Sequence, residues 1–310
     1  MSPASSATGG NAPIALFAFR RPDHLARTLA ALAANSGAGG HDLRAFVDGP
    51  RHAGDAPGLA AVRRVLDDWA GRGAFRSLTV DAQEGNLGLR RSIIRGVGQV
   101  VAESGEVIVI EDDLLTSPDF LRFCRDGLAC YRDDPRVASI HGYQYPVRGV
   151  LPDTFFLRGA DCWGWATWRR AWAAYDDDAA GLLHRLEASG QRWAFDQDGW
   201  RQLSRMLADA AVGRVDSWAI RWHASAYLAD LVTLYPGQSL VQNIGLDASG
   251  THCAGMDDHR VEIALQGPPI IRQPTVEDPQ AASAIRAWFA AGVGWRGRLR
   301  RAAARLGIHR

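Results

Sequence analysis

A chain of 310 residues, 47% hydrophobic and 22% charged, has the composition of a water-soluble folded protein with at most two domains, and a formal net charge of +1 gives no overall pull toward nucleic acid. All 35 basic residues are arginine; without a lysine there is no P-loop phosphate lysine, no kinase strand lysine and no Schiff-base amine. The N-terminal MSPASSATGGNAP has no basic region, and no apolar run reaches the ~18 residues that a membrane span requires.

Residues 1–12 read as a disordered leader. PIALFAF (13–19) is a short apolar run bounded by charge and proline, the mark of a buried strand, and HLARTLAALAAN has helical spacing. DLRAFVDG is strand-like, GLAAVRRVLDDWA helix-like, FRSLTVDA strand-like, LRRSIIRGVGQVVAES helix-like and EVIVIEDD strand-like. This alternation predicts an α/β fold, a mostly parallel central sheet flanked by helices, with ligands outside the carboxyl ends of the strands. The first strand ends in FRRPDH, which lacks the glycine pattern of a dinucleotide site and so argues against an NAD-type oxidoreductase. Eight of the eleven tryptophans fall between Trp163 and Trp222, in stretches expected to be helical such as WGWATWRRAWAAY and SWAIRWHASAYLAD. The expected division is an α/β half over 13–145, a second half of different character over 146–280 that looks like an acceptor-side subdomain, and a basic tail over 281–310.

The strand ends carry the chemistry. Glu111, Asp112 and Asp113 close the fourth strand, and three adjacent carboxylates repel one another unless a cation or basic groups neutralise them. Mn²⁺ or Mg²⁺ with substrate phosphates is the simplest neutraliser. Ser117, Pro118 and Asp119 read as the start of the next helix. Asn86 and Gly88 offer backbone to a phosphate or sugar, or only shape the loop before a helix. Trp163 and Trp165 flank Gly164 and are the best candidates to stack on a sugar, against core packing as the alternative. His252, in a glycine-rich loop, is a candidate for the diphosphate or the metal shell. Asp48 also suits an Asp-Gly turn, and Asp216 also suits a helix N-cap. The four cysteines form no CxxC pair and read as inert thiols of a reducing compartment.

Taken in order, FAFRRPDHL, FVDGP, GNLGLRRSIIRGV, VIVIEDDLLTSPDF, CWGWATWRRAW, DSWAIRWH and LYPGQSLVQNIGLDASGTHC resemble bacterial glycosyltransferases of the GT-A fold, including family-2-like enzymes. The series is also similar to the inverting β-1,2-N-acetylglucosaminyltransferases of the alpha-mannosyl-glycoprotein family. The resemblance spans residues 13–255. It implies that Arg20 and Asp48 contact the nucleotide base, Glu111 the ribose, Asp113 the metal, and that Asp216 is the catalytic base. Where the family has two acids before the tryptophan, this chain has Ser217 as the second. The implied activity is metal-dependent inverting transfer from a nucleotide-sugar, UDP-linked by analogy, to a glycan, lipid-linked or protein acceptor in bacterial surface-glycan synthesis. A sugar-1-phosphate nucleotidyltransferase is the first rival, but FAFRRPDH lacks the glycine-rich, lysine-bearing loop. A nucleotide- or carbohydrate-binding protein without turnover is the second.

The final segment, 281–310, holds seven arginines and no acid. On a helix Trp288, Trp295, Leu299, Ala303 and Leu306 share one side and the arginines the other, which predicts a cytoplasmic protein with a peripheral membrane contact through this tail, or a solvated or partner-binding helix.

Overall fold

In the computed structural model, which describes residues 11–246 and 259–292, the first half follows the expected alternation. β1 (Ile14–Ala18), α1 (Pro22–Ala33), β2 (Asp42–Val47), α2 (Ala56–Gly71), β3 (Ser77–Ala82), α3 (Leu89–Ser104) and β4 (Glu106–Glu111) succeed one another, joined by turns and two single-turn 3-10 helices. The four strands pair in parallel in the order β3-β2-β1-β4, with Ile14 opposite both Leu43 and Ile108. The apolar run of β1 is used on both faces. Ile14, Leu16 and Ala18 enter the core under α1 and α2, and Ala15 and Phe17 enter the core under α3. Each fully buried Leu, Ile or Phe contributes about 1.5–3 kcal/mol, so a polar residue at any of these positions would be costly.

The second half consists of β5 (Leu114–Thr116), α4 (Phe120–Cys130), β6 (Val137–His141), β7 (Thr154–Arg158), β8 (Trp165–Trp168), α5 (Arg169–Trp172), α6 (Ala179–Ala188), α7 (Arg192–Phe195), α8 (Leu203–Ala211), α9 (Trp218–Leu228), β9 (Val232–Pro236), β10 (Val241–Asn243) and α10 (Pro279–Gly292). The sheet continues as β4-β8-β6-β9-β7: β8 is antiparallel to β4 and β6, β6 is parallel to β9, and β7 is antiparallel to β9. The mostly parallel sheet expected from sequence is therefore a mixed sheet of eight strands. Parallel addition needs a crossover of a dozen or more residues, usually a helix, and no helix lies between β6 and β8. Residues 159–164 instead return across the sheet face: Gly159 donates to Leu231 O (2.9 Å) at the amino end of β9, and Gly164 O accepts from the Gly142 amide (2.7 Å) just past β6.

WGWATWRRAWAAY corrects a second expectation. Trp165–Trp168 is a central strand, and only Arg169–Trp172 forms a helical turn. Between β4 and β6 its backbone is bonded on both sides, and Trp165 and Trp168 fall in cores on opposite faces. SWAIRWHASAYLAD does form a helix, α9, which packs with α6 and α8 around Leu182, Leu186, Leu207 and Ile220. α4 begins at Phe120, with the Ser117 hydroxyl accepting from the Asp119 amide (3.2 Å).

The described part of the segment read as a basic tail belongs to α10. Trp288, assigned by sequence to a lipid-facing side, packs on Tyr145 (5.5 Å between rings) and edge-on to His259 (4.9 Å), because α10 lies against the fold through Ala281, Ala282 and Ile285. Residues 293–310 are outside the described residues, as are 1–10 and 247–258. Among the described residues no helix is long and apolar enough to cross a membrane.

Candidate active site

A cleft of about 700 Å³ opens along the rim reached by the carboxyl ends of β1, β2, β4 and β6, and its lining includes Arg20, Asp48, Asn86, Gly88, Glu111, Asp112, Asp113, Trp163 and Asp216. Nine of the eleven residues singled out by sequence thus share one cavity. Trp165 does not. It is fully buried behind the wall, 5.7 to 5.9 Å from Trp172, Trp218 and Trp222, since strand alternation turns it into the core under α3. Trp163, two residues earlier, is half-buried on the cleft and lies edge-on to Tyr143 (4.7 Å). His252 lies outside the described residues.

The acids at the end of β4 are not three equivalent ligands. Asp112 is buried, accepts from the Phe19 amide (3.0 Å) and is bonded by Arg21 Nη2; the same nitrogen bonds Asp113 Oδ2 (2.9 Å). Arg21 follows Arg20 in the turn between β1 and α1, so the pairing of β1 with β4 brings it to the acids. Burial works against the Arg21 charge, but Asp112 and Asp113 outweigh it and hold the guanidinium protonated. Burial, followed by the neighbouring carboxylates, pushes Glu111 above the usual carboxylate range. Burial also raises Asp112, against the pull of Arg21. Arg21 Nη1 is buried without an acceptor. Sequence reasoning missed Arg21; its signal was the doubled arginine at a strand end.

The β5-β10 ribbon folds a distant segment over these acids. Asn243 pairs with Leu114, and the Ile244 amide donates to Asp113 O (2.8 Å). Two carboxylates and a guanidinium with an unpartnered nitrogen suit a diphosphate and one hard cation, because Mg²⁺ and Mn²⁺ on nucleotides commonly take one or two carboxylates and complete their shell with phosphate oxygen. Among the described residues no group of three or more His, Cys, Asp or Glu is placed to hold a metal by protein ligands alone.

Asp48 serves the loop beside the site. Its Oδ1 accepts from the Gly49 and Leu87 amides (2.9 and 2.7 Å), and its Oδ2 from Asn86 Nδ2 and the Gly88 amide (both 2.9 Å). Four donors fill the acceptor capacity of a carboxylate, and the residue is 7% exposed. A nucleotide base that contacts this carboxylate, as expected from the resemblance, would have to compete with these four bonds. Its bonds shape residues 85–88 at the start of α3, where Gly88 takes φ +78°. At Gly49 a side chain would strike the Gly85 backbone, its Cβ only 2.4 Å from the carbonyl carbon.

Arg20 has φ +35°, a strained value for a residue with a side chain, and is held by an ion pair with buried Asp55 (2.9 Å). Its guanidinium and that of Arg51 lie 5.7 and 5.0 Å from the Phe19 ring on the cleft wall. Asp216, on the same lining, is more than half exposed, shares Arg90 with Asp177, and has Oδ2 3.7 Å from where a Cβ on Gly88 would stand. It is not the cap of α9: Ser217 is, accepting from the Ile220 amide (3.3 Å).

No family model and no curated protein matches this chain. Among solved structures it is similar to the mannosyltransferase PcManGT of Pyrobaculum calidifontis in complex with GDP-Man and Mn²⁺, at 13% identity over 44% of this chain and 36% of that one, with a TM-score of 0.33. It is also similar to residues 1–349 of S. aureus TarS in complex with UDP (15% identity, 49% of this chain and 41% of that one, TM-score 0.34). A longer match to S. aureus TarS covers 73% of this chain and 36% of that one at 13% identity and a TM-score of 0.38. The chain thus spans 36 to 41% of the length of these proteins, and a likeness at this level says nothing of what it acts on.

Proposed function

We propose that this chain is a glycosyltransferase of the GT-A type that takes a sugar from a nucleotide-sugar, UDP-linked by resemblance, and passes it to a hydroxyl acceptor with inversion. The observation that supports it most is one cleft on the carboxyl rim whose lining holds both an arginine-bridged acid pair and a separate, more exposed acid, Asp216. In this reading residues 13–145 hold the donor and 146–280 the acceptor. Phe19, Arg20 and Arg51 face the nucleotide base, the Asp48-organised turn presents the Gly88 backbone, and Arg21 Nη1 takes a phosphate oxygen. Asp216 receives the acceptor hydroxyl proton as that oxygen bonds to the anomeric carbon, and the carbon–phosphate-oxygen bond breaks with its electron pair leaving on the nucleoside diphosphate. Mn²⁺ or Mg²⁺, where bound, would be held by Asp113 with Asp112 beside it and would stabilise the charge of the departing diphosphate.

Thermal melting with UDP- and GDP-sugars, with and without Mn²⁺, tests the donor site. A ligand at 100 times its Kd adds about 2.7 kcal/mol, which for a chain of this size raises Tm by roughly 5 °C. Release of nucleoside diphosphate then separates an enzyme from a binding protein. A Tm that no nucleotide-sugar moves under either condition would refute the reading.

A further inference from the structure

The far end of the cleft contains a polar cluster that the transfer chemistry above does not use. Residues 159–164, on their return across the sheet face, bring Asp161 beneath β6 and β9, where its Oδ2 accepts from the hydroxyls of Tyr145 (2.7 Å) and Tyr235 (3.1 Å). His141, the last residue of β6, is 1% exposed, lies on the cleft lining, and has neither ring nitrogen hydrogen-bonded. His223, from α9, is 9% exposed; its Nδ1 pairs with Ala160 O (2.7 Å), while Nε2, also buried, has no partner. Arg201 reaches the same lining from the loop between α7 and α8, its guanidinium 5.9 Å from the Tyr145 ring and 4.6 Å from that of Phe289. That loop holds Gln197, Asp198 and Gly199 in succession at φ +54°, +58° and +75°, a backbone cost of the kind retained where a side chain must be aimed.

Buried polar groups without partners are uncommon, and three such nitrogens on two histidines of one cavity lining call for a ligand or bound water to complete them. The chemistry of that ligand follows from what is offered. Burial keeps His141 neutral near pH 7, so it offers one donor and one acceptor. Nδ1 of neutral His223 donates to Ala160 O, so Nε2 accepts. Burial pushes the Asp161 carboxyl up; with both histidines neutral, the Arg201 cation and the hydroxyls of Tyr145 and Tyr235 are what favour its ionised form. A free anion would meet Asp161 and a free cation Arg201. A neutral group that both donates and accepts meets neither penalty, and the rings of Tyr143, Tyr145 and Trp163 on the same lining supply apolar faces.

We propose that Asp161, Arg201, His141 and His223 form a subsite for the hydroxyls of a neutral sugar ring carried by the acceptor. The assignment to the acceptor rests on reading the cleft as a site of glycosyl transfer. β6 is two strands from β4 in the sheet, on the order of 10 Å at ~4.8 Å per strand, which leaves room for the transferred sugar between the acids of β4 and this cluster. Asp161 binds there rather than removing a proton, since two phenols and a guanidinium already hold its charge.

Saturation-transfer NMR with the methyl glycosides of glucose, galactose, mannose and N-acetylglucosamine tests the subsite, with UDP or GDP plus Mn²⁺ and inorganic phosphate as separate arms on the same samples. At least one glycoside is expected to receive saturation from the wild-type protein. Asp161→Asn, which keeps an acceptor for the tyrosines, and Arg201→Met are each expected to weaken that binding at least tenfold while nucleotide affinity stays within twofold. Should one variant fail to fold, the other carries the comparison. Glycoside binding that depends on Asp161 or Arg201 without any nucleotide binding would leave the subsite standing and remove the transferase reading. No glycoside binding, binding unchanged by both variants, or a response to phosphate alone would overturn the subsite.

Discussion

Replacing Asp48 with asparagine keeps the size of the side chain and removes one of the two oxygens that organise the turn before α3. Each oxygen accepts two hydrogen bonds, Oδ1 from Gly49 and Leu87, Oδ2 from Asn86 and Gly88. Whichever way the new amide turns, its NH₂ faces two donors, so two charge-assisted bonds are lost and two N–H groups are left opposed. At about 1.5–3 kcal/mol for each bond to a charged acceptor the loss is about 3–6 kcal/mol. Asn86 is exposed and regains water, which favours the lower end, about 3 kcal/mol and a Tm lower by roughly 6 °C. Asn86→Ala removes only the bonds of one side chain to Asp48 Oδ2 and Gly49 O, and is expected to cost about 1 kcal/mol. Urea unfolding with matched calorimetric melts reads both. If Asp48→Asn melts within 1 °C of wild type, the carboxylate is not the organiser of this turn, and its place on the cleft would have to be explained by a ligand.

Asp216→Asn is expected to leave stability nearly unchanged, because Ser217 caps α9 and the Arg90 pair is with an exposed carboxylate, while nucleoside diphosphate release falls roughly 10²- to 10⁴-fold. Near-normal release would move the base to another acid on the cleft. His141 sets a pH dependence: burial brings its pKa to about 4, against an unfolded value near 6.5. Above 6.5 both states are neutral; below it the unfolded chain takes up the proton first, so stability falls as pH drops through 6.5 and the loss is complete below about 4, on the order of 3 kcal/mol in all. His141→Phe should lessen the fall of stability between pH 6.5 and 4, to which buried His223 still contributes in the same sense, and an unchanged slope in urea titrations would contradict a buried neutral imidazole at position 141.

What could be read before folding is what neighbours along the chain decide. The apolar run of β1, the 3.6-residue spacing of α3 and the position of Glu111–Asp113 at the end of β4 are local patterns, and the first seven elements stand in the order read from them. Nine of the eleven proposed site residues reach one cleft because an α/β chain delivers its strand ends to a common rim. The partners of those residues were not legible. Asp48 is met by Asn86, Leu87 and Gly88 about forty positions later through the pairing of β2 and β3, and Asp112 is met by Arg21 some ninety positions earlier through β1 and β4. Trp165 shows the same limit from the other side: its stretch has helical composition, and only the two strands bonded to it make it a strand and take it off the cleft wall.

The sequence by itself thus determined the alternating first half, the rim on which chemistry would gather and the residue types found there, since strand and helix periodicity depend on residues a few positions apart. Tertiary structure alone decided the sense of the second half of the sheet, the arginine between the acids, the cap of α9 and the meeting of Asp161 with His141, Arg201 and His223. Each of these depends on which distant groups share a low-dielectric space once strands and helices have packed, and no local propensity encodes that.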